Sequence, residues 1–216
     1  MKPDYTRAAV RAMELLIEHN ITTAPIDPLP VYKRMPGVLV LSFAEASQRA
    51  GVDRNDMTSR FYDAVTSAHV EKGHLQYLVS YNQRLPLYIV QRSLARELGH
   101  IALFHDGSRP ESVRMEEAYT FALHFLFPRP LISAVQQSGI PLTVESLGAM
   151  TGCDYRCLQR MKLTPFVSVP AELNRKVRDQ FSDYIRNFLD YESFFLSKSD
   201  DSSVVDIGTY MDGYEE

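Results

Sequence analysis

The sequence has no tryptophan and only two cysteines among its 216 residues. Cys153 and Cys157 are four residues apart, and without further cysteines they make neither a disulfide framework nor more than half of a zinc site. We therefore expect two reduced, partly buried thiols, which are typical of a cytoplasmic protein. No uncharged apolar run approaches the roughly 18 residues that span a bilayer, and the N-terminal residues lead into an amphipathic segment. The sequence predicts a soluble, cytoplasmic protein.

Basic clusters are also missing. The chain has 23 lysine and arginine residues against 27 aspartate and glutamate residues, which gives a formal net charge of −4. This balance argues against a strong nucleic-acid binder. The hydrophobic fraction of 45% is ordinary for a globular protein. A chain of this length buries about 70% of its unfolded surface, so it can form a core without disulfides or metals.

Periodic hydrophobic patterns predict an α+β fold that is mostly helical. Longer helices are predicted at 6–19, 87–104, 110–127 and 171–196, and shorter ones at 29–34, 131–138, 143–149 and 154–161. Strands are predicted at 38–43, 64–70 and 75–81, of which the last two form a hairpin around Gly73. Residues 44–61 are mixed and polar and predict no defined element.

The helix at 87–104 carries most of a zinc-protease signature, H-E-x-x-H. Glu97 and His100 stand where the glutamate and the second histidine belong, but Arg96 replaces the first histidine. Residues four apart share a helix face, so two histidines at this spacing hold one metal while the glutamate activates its bound water. An arginine stays protonated and has no lone pair to donate, so it cannot be the missing ligand.

Four motifs together resemble the ImmA/IrrE family of metallo-endopeptidases, and they occur in the family's order. They are Tyr81-Asn82, the segment RSLARELGHI at 92–101, the segment EAYTFA at 117–122, and Leu126-Phe127-Pro128. The first helix and the segment PIDPL at 25–29 also resemble the start of the family, so the likeness covers roughly residues 8–165. It implies a small gluzincin-like fold with a short antiparallel sheet beside the metal helix. It also implies a role in turning off helix-turn-helix repressors, by cleavage or by contact, in phages, mobile elements or stress responses.

The resemblance assigns roles to individual residues. It implies that Glu97 is the catalytic general base and that His100 and Glu117 are ligands of a zinc ion. Glu116 is the alternative to Glu117, because a helix turns by about 100° per residue and only one of the two can face the site. Met115 stands where the family often has another glutamate, so the chain departs from the family at two positions of one site.

We hypothesise that the Arg96 guanidinium occupies the vacated metal position and pairs with Glu97 and with Glu117 or Glu116. Zinc is then absent or weakly bound. The alternative is that Arg96 turns to solvent and a weak metal remains.

Other histidines and aromatic residues are predicted to lie outside the site. His105 is a weak replacement ligand, because a helix does not place positions 100 and 105 on one face. His124 is expected to pack in the core or lie on the surface, and His69 and His74 are expected on the surface of the hairpin. Tyr119 and Phe121 are assigned to packing.

These observations predict an ImmA/IrrE-like domain at 1–165, which includes a helical lid at 131–165, followed by a C-terminal helix at 166–197 and an acidic tail at 198–216. The favoured function is that of a pseudopeptidase or regulator that binds a protein partner such as a repressor, which would be a separate chain. One alternative is an active zinc endopeptidase. The other is a DNA-binding regulator that uses the helix-turn-helix outline at 143–161.

Overall fold

The computed structural model describes residues 2–51, 54–140, 143–152 and 167–196. The chain divides into two compact units, and each is described by itself. The first consists of Met1–Ala8 and Asp27–Ala122, and the second of Ala9–Ile26 and Leu123–Glu216. The predicted helical segment at 154–161, both cysteines and the acidic tail lie outside the described residues.

The first unit contains a three-stranded sheet. Its strands are β1 (Val38–Ser42), β2 (Ala64–Glu71) and β3 (His74–Tyr81), in the spatial order β1-β3-β2. Strands β2 and β3 form the predicted antiparallel hairpin, but β1 pairs with β3 in parallel. The α+β fold class is confirmed, whereas the sheet is mixed rather than purely antiparallel.

Helices in the connection between β1 and β2 explain the parallel pairing. Helices α1 (Tyr5–Glu18) and α2 (Leu29–Arg34) precede β1, and α3 (Phe43–Ala50) and α4 (Arg54–Arg60) follow it. The sequence analysis assigned no element to 44–61, although Ser42 and Glu45 form a reciprocal capping box at the start of α3. Parallel strands need a long crossover connection, and these two helices supply one.

The signature helix α5 (Leu87–Ala102) approaches α6 (Glu111–Leu126) closely at Gly99. A Cβ atom at Gly99 would lie 3.0–3.1 Å from three carbon atoms of Phe121, whose side chain is fully buried. The glycine of the E-L-G-H segment therefore permits the contact between the two helices that carry the candidate site residues.

Replacing Gly99 with alanine is expected to destabilise the fold. The overpacking against Phe121 costs about 1–3 kcal/mol, and the better helix propensity of alanine offsets about 1 kcal/mol of that. Urea denaturation would measure the net loss. Gly107→Ala is the comparison, because its Cβ would meet nothing within 4 Å. A Gly99→Ala variant more stable than the wild type would contradict the close approach.

The second unit is helical over its described residues. After the end of α6 it contains α7 (Arg129–Gln137), α8 (Val144–Thr151), α9 (Ala171–Gln180) and α10 (Ser182–Leu196). The single helix predicted at 171–196 is divided at Phe181, which is fully buried and packs edge-on against Tyr184. None of the helices in the described ranges combines the length and the apolar character that crossing a membrane requires.

Candidate functional site

The Arg96 side chain is held inside the first unit by two carboxylates. Its NH1 and NH2 groups donate to Asp63 Oδ2 and Oδ1 at 2.9 and 3.1 Å, which makes a bidentate ion pair. Its Nε and NH2 groups donate to Glu97 Oε1 at 3.0 and 2.7 Å, and NH2 also reaches the Ala64 carbonyl oxygen at 3.2 Å. The side chains of Arg96 and Glu97 are only 11% and 7% exposed. The guanidinium group is therefore largely desolvated, and each of its three nitrogen atoms donates to at least one protein acceptor.

This arrangement matches one part of the hypothesis and corrects another. Arg96 pairs with Glu97 as expected, but its second carboxylate is Asp63, and neither Glu117 nor Glu116 is among its hydrogen-bond partners in the described residues. We define Asp63, Arg96 and Glu97 as the guanidinium cluster. It contains two carboxylates and one guanidinium, so its formal charge is −1.

Asp63 reaches the cluster because the loop before β2 is anchored from two sides. The backbone amide of Asn82 donates to the Asp63 carbonyl at 2.8 Å, and the Asn82 side chain donates to the Tyr62 carbonyl at 3.1 Å. The Ser93 hydroxyl of α5 donates to Asp63 Oδ2 at 2.8 Å. Asn82 belongs to the Tyr81-Asn82 motif, so the sequence contains a signal for this loop anchor. The motif does not indicate that the anchored loop brings Asp63 to Arg96, which lies 33 residues away in the chain.

Charge pairing dominates the electrostatics of the cluster. Burial acts to raise the pKa of Asp63, but the hydrogen bonds and the charge of Arg96 outweigh burial, so this pKa lies below its usual value. Burial likewise acts to lower the pKa of Arg96, and Asp63 and Glu97 together raise it well above its ordinary range. Both side chains therefore remain charged at neutral pH.

A second cluster joins His100, His105 and Glu117. His100 Nδ1 lies 2.9 Å from His105 Nδ1, and His105 Nε2 lies 2.9 Å from Glu117 Oε2. The side chains of His105 and Glu117 are each 1% exposed. Glu116, in contrast, is exposed and accepts a hydrogen bond from the Tyr5 hydroxyl group. Of the two candidate glutamates, Glu117 is the one that faces the interior.

His105 meets His100 because α5 ends before it. Phe104 adopts a left-handed conformation with φ of 53°. The His105 amide then donates to the His100 carbonyl at 3.0 Å, and the Phe104 amide donates to the Ile101 carbonyl at 3.0 Å. These two bonds form a Schellman motif, which reverses the chain and places His105, the second residue after the C-cap Leu103, beside the last turn of the helix. Helical geometry keeps positions 100 and 105 on different faces, but it does not apply here because the helix has already ended. The sequence gives no signal for the reversal, because the left-handed position holds Phe104 and not the usual glycine.

The hydrogen bonds fix the tautomers of the two neutral imidazoles. Because the Glu117 carboxylate only accepts, His105 must donate from Nε2, and its Nδ1 is then an acceptor. His100 consequently donates from Nδ1 and keeps a lone pair on Nε2. Burial, followed by the neighbouring His105, lowers the pKa of His100 to about 3. Burial also lowers the pKa of His105, although Glu117 opposes that shift.

The N-terminal segment and Arg109 complete the environment of Glu117. The Asp4 amide donates to Glu117 Oε1 at 2.6 Å, and Arg109 NH1 donates to Oε2 at 2.7 Å. A carboxylate has about four acceptor positions, and Glu117 uses three of them for protein donors. It is held as a hydrogen-bond acceptor and charge partner.

The donor set does not fit the zinc ion that the family resemblance implies. Catalytic zinc takes three protein ligands around one point. Here Arg96 offers no lone pair, and Glu117 already accepts hydrogen bonds from His105, Arg109 and the Asp4 amide. Of the three ligand positions, only His100 Nε2 and one acceptor position on Glu117 Oε1 therefore keep a free lone pair. Within the described part of the chain, no group of three or more histidine, cysteine, aspartate or glutamate side chains is arranged to hold a metal.

The remaining histidines and Phe121 lie where simpler roles predict, whereas the assignment of Tyr119 to packing is wrong. His124 is fully buried in the second unit, and His69 and His74 are exposed on the hairpin. Phe121 is packed, as expected. Tyr119 is 45% exposed, and its ring centroid lies 5.9 Å from the Arg96 guanidinium carbon.

Comparison with known proteins supports the resemblance noted in the sequence. The IrrE N-terminal-like domain matches residues 53–169, which is more than half of the chain. This range includes the guanidinium cluster and the His100–His105–Glu117 cluster. Comparisons with curated proteins and with solved structures gave no match. The chain belongs to the family of proteins with an IrrE N-terminal-like domain.

Proposed function

We propose that the chain is a non-catalytic member of its family, a pseudopeptidase that regulates a protein partner by binding it. The observation that carries this proposal is the guanidinium cluster. A permanently charged group stands at the position of the first zinc ligand, and Asp63 and Glu97 compensate its charge within hydrogen-bond distance. A zinc ion beside this guanidinium would experience direct repulsion between like charges.

The state of Glu97 supports the same proposal. A general base must be free to take a proton from water. Glu97 is 5% exposed, and its Oε1 atom accepts two hydrogen bonds from Arg96. In our proposal Glu97 anchors Arg96, and His100 and Glu117 are ligand positions that no longer bind metal. The ImmA/IrrE resemblance suggests a helix-turn-helix repressor as the partner, which is the part of the proposal that rests on analogy.

Zinc analysis tests the loss of the metal. Purified wild-type chain, dialysed with equimolar zinc, is expected to contain no stoichiometric zinc by mass spectrometry. Arg96→His is expected to gain it, because two histidines then share one face of α5. The double variant Asp63→Asn/Arg96→His is the matched comparison for Arg96→His. It also removes the Asp63 carboxylate, which has no guanidinium partner once Arg96 is replaced. Stoichiometric, chelator-sensitive zinc in the wild type would favour an active endopeptidase instead.

A Glu97→Gln variant tests the mode of action. Glutamine keeps an oxygen acceptor for Arg96 but cannot act as a general base. If regulation works by binding, Glu97→Gln retains the effect of the chain on transcription from a repressor-controlled promoter in its host. Abolition of that effect in a variant that remains folded by circular dichroism would indicate catalysis.

A further inference from the structure

We propose that His105 takes the place of the metal as the bridge between His100 and Glu117 and that it opposes metal binding at Glu117. The three side chains are called the imidazole bridge below. Its two contacts, His100 Nδ1 to His105 Nδ1 and His105 Nε2 to Glu117 Oε2, are both 2.9 Å long. The proposal deepens the proposed function, since it explains how the remaining ligand positions are held without a metal.

A neutral imidazole suits this position because its two nitrogen atoms have opposite roles. A metal would join His100 and Glu117 by accepting a lone pair from each. His105 joins them by donating a hydrogen bond to Glu117 and accepting one from His100. The bridge therefore needs no further ion, and the buried carboxylate keeps the charge of Arg109 at 2.7 Å as its compensation.

The environment of Glu117 makes this arrangement hard to exchange for a metal. Its Oε2 atom accepts from both His105 and Arg109, so both lone pairs of that atom are used. Its Oε1 atom accepts from the amide of Asp4, the residue that also caps α1 through its Oδ1 atom. A metal that binds Glu117 through Oε2 must displace His105 or Arg109, and only one acceptor position, on Oε1, is left open.

His105 is thus a positioning residue and not a zinc ligand, and the two roles predict opposite results in one experiment. In the Arg96→His background, zinc affinity is measured by competition with a chromophoric chelator, with and without His105→Ala. If His105 is the bridge, its removal frees Oε2 of Glu117 for a metal, and the double variant binds zinc about tenfold tighter or more. Equal or weaker binding by the double variant would overturn the proposal.

The exposed His69 provides the matched control. His69→Ala removes a histidine from the same unit, outside the bridge, and is expected to leave the zinc affinity of the Arg96→His variant unchanged. The failure of the imidazole bridge and the failure of the proposed function give different results. The proposed function fails if the wild type itself holds stoichiometric zinc. The bridge fails if removal of His105 does not strengthen zinc binding to the Arg96→His variant.

Measurements on the wild-type background keep the proposal testable if the double variant does not fold. His105→Ala is expected to lower the Tm by about 3–8 °C, because it removes the acceptor of His100 Nδ1 and one of the three donors to the buried Glu117 carboxylate. His105→Gln retains an amide donor for Glu117 and should recover part of the loss in Tm.

Nitrogen-15 NMR of the wild type should find His105 protonated at Nε2 and His100 protonated at Nδ1. The reverse tautomers, or an unchanged Tm in His105→Ala, would overturn the bridge.

Discussion

Replacing Arg96 with alanine is expected to lower the free energy of unfolding by about 3–5 kcal/mol. The substitution leaves Asp63 and Glu97 close to each other, largely buried and without their shared cation. Breaking a buried pair by removing one partner costs more than the pair itself contributes, because the remaining charge stays desolvated. Urea denaturation at pH 7 would measure the loss, and Arg96→Lys, which keeps the charge but not the bidentate geometry, should lose less.

Arg92 supplies the matched control for this experiment. It lies one turn earlier on α5, and its side chain makes no hydrogen bond or ion pair with the described residues. Arg92→Ala should change stability by less than about 0.5 kcal/mol. Adding Asp63→Asn to Arg96→Ala should recover part of the stability, since one orphaned carboxylate disappears. Purely additive effects of these two substitutions would contradict the pairing.

Acidification is expected to destabilise the folded chain from about pH 6.5 downwards, well before its carboxylates titrate. Burial lowers the pKa of His100 to about 3 and that of His124 to about 4. Below the unfolded value of about 6.5, the unfolded chain binds protons that the folded chain does not bind. The stability is fully present above pH 6.5 and falls by about 1.4 kcal/mol per pH unit for each such histidine. Between pH 6.5 and 5 the loss from these two histidines is about 3 kcal/mol, because the unfolded histidines are already half protonated at pH 6.5.

Urea denaturation at several pH values would measure this dependence, and removal of one buried histidine gives the control. His124→Gln should reduce the slope, to which His100 and His105 still contribute, whereas His69→Gln should leave it unchanged because His69 is exposed. Asp63 adds a separate dependence of stability on pH, at more acidic pH. Because its folded pKa is lowered, its stabilising contribution is lost only as the pH falls below about 3.8. A stability that stays constant from pH 7 to pH 5 would contradict the buried neutral histidines.

Local sequence signals were sufficient for much of the fold. The hairpin at Ala64–Tyr81 and the long helices α5 and α6 follow directly from hydrophobic periodicity and from the Gly73 turn. The parallel pairing of β1 did not follow, because periodicity does not report which strands become neighbours. The short helices α3 and α4 were missed because their periodic pattern is short, although the capping box at Ser42 and Glu45 was present in the sequence.

The site was predictable to the extent that its residues lie on one helix. Helical spacing placed Arg96 beside Glu97 and on one face with His100, and it limited the choice between Glu116 and Glu117 to one inward position. Asp63 was not predictable, because it reaches Arg96 from a loop that Asn82 and Ser93 position. His105 was excluded by an argument about helices that stops applying where the helix ends.

The sequence alone therefore determined the family, the fold class and the chemical identity of the substituted position: an arginine cannot donate a lone pair in any conformation. Only the tertiary structure decided how the two charged parts of the site are satisfied. Contacts between residues distant in the chain join Arg96 to Asp63 and Glu117 to Asp4, and a left-handed residue turns His105 back to His100. Such contacts depend on loop geometry and chain reversal, which local patterns of hydrophobic and polar residues do not encode.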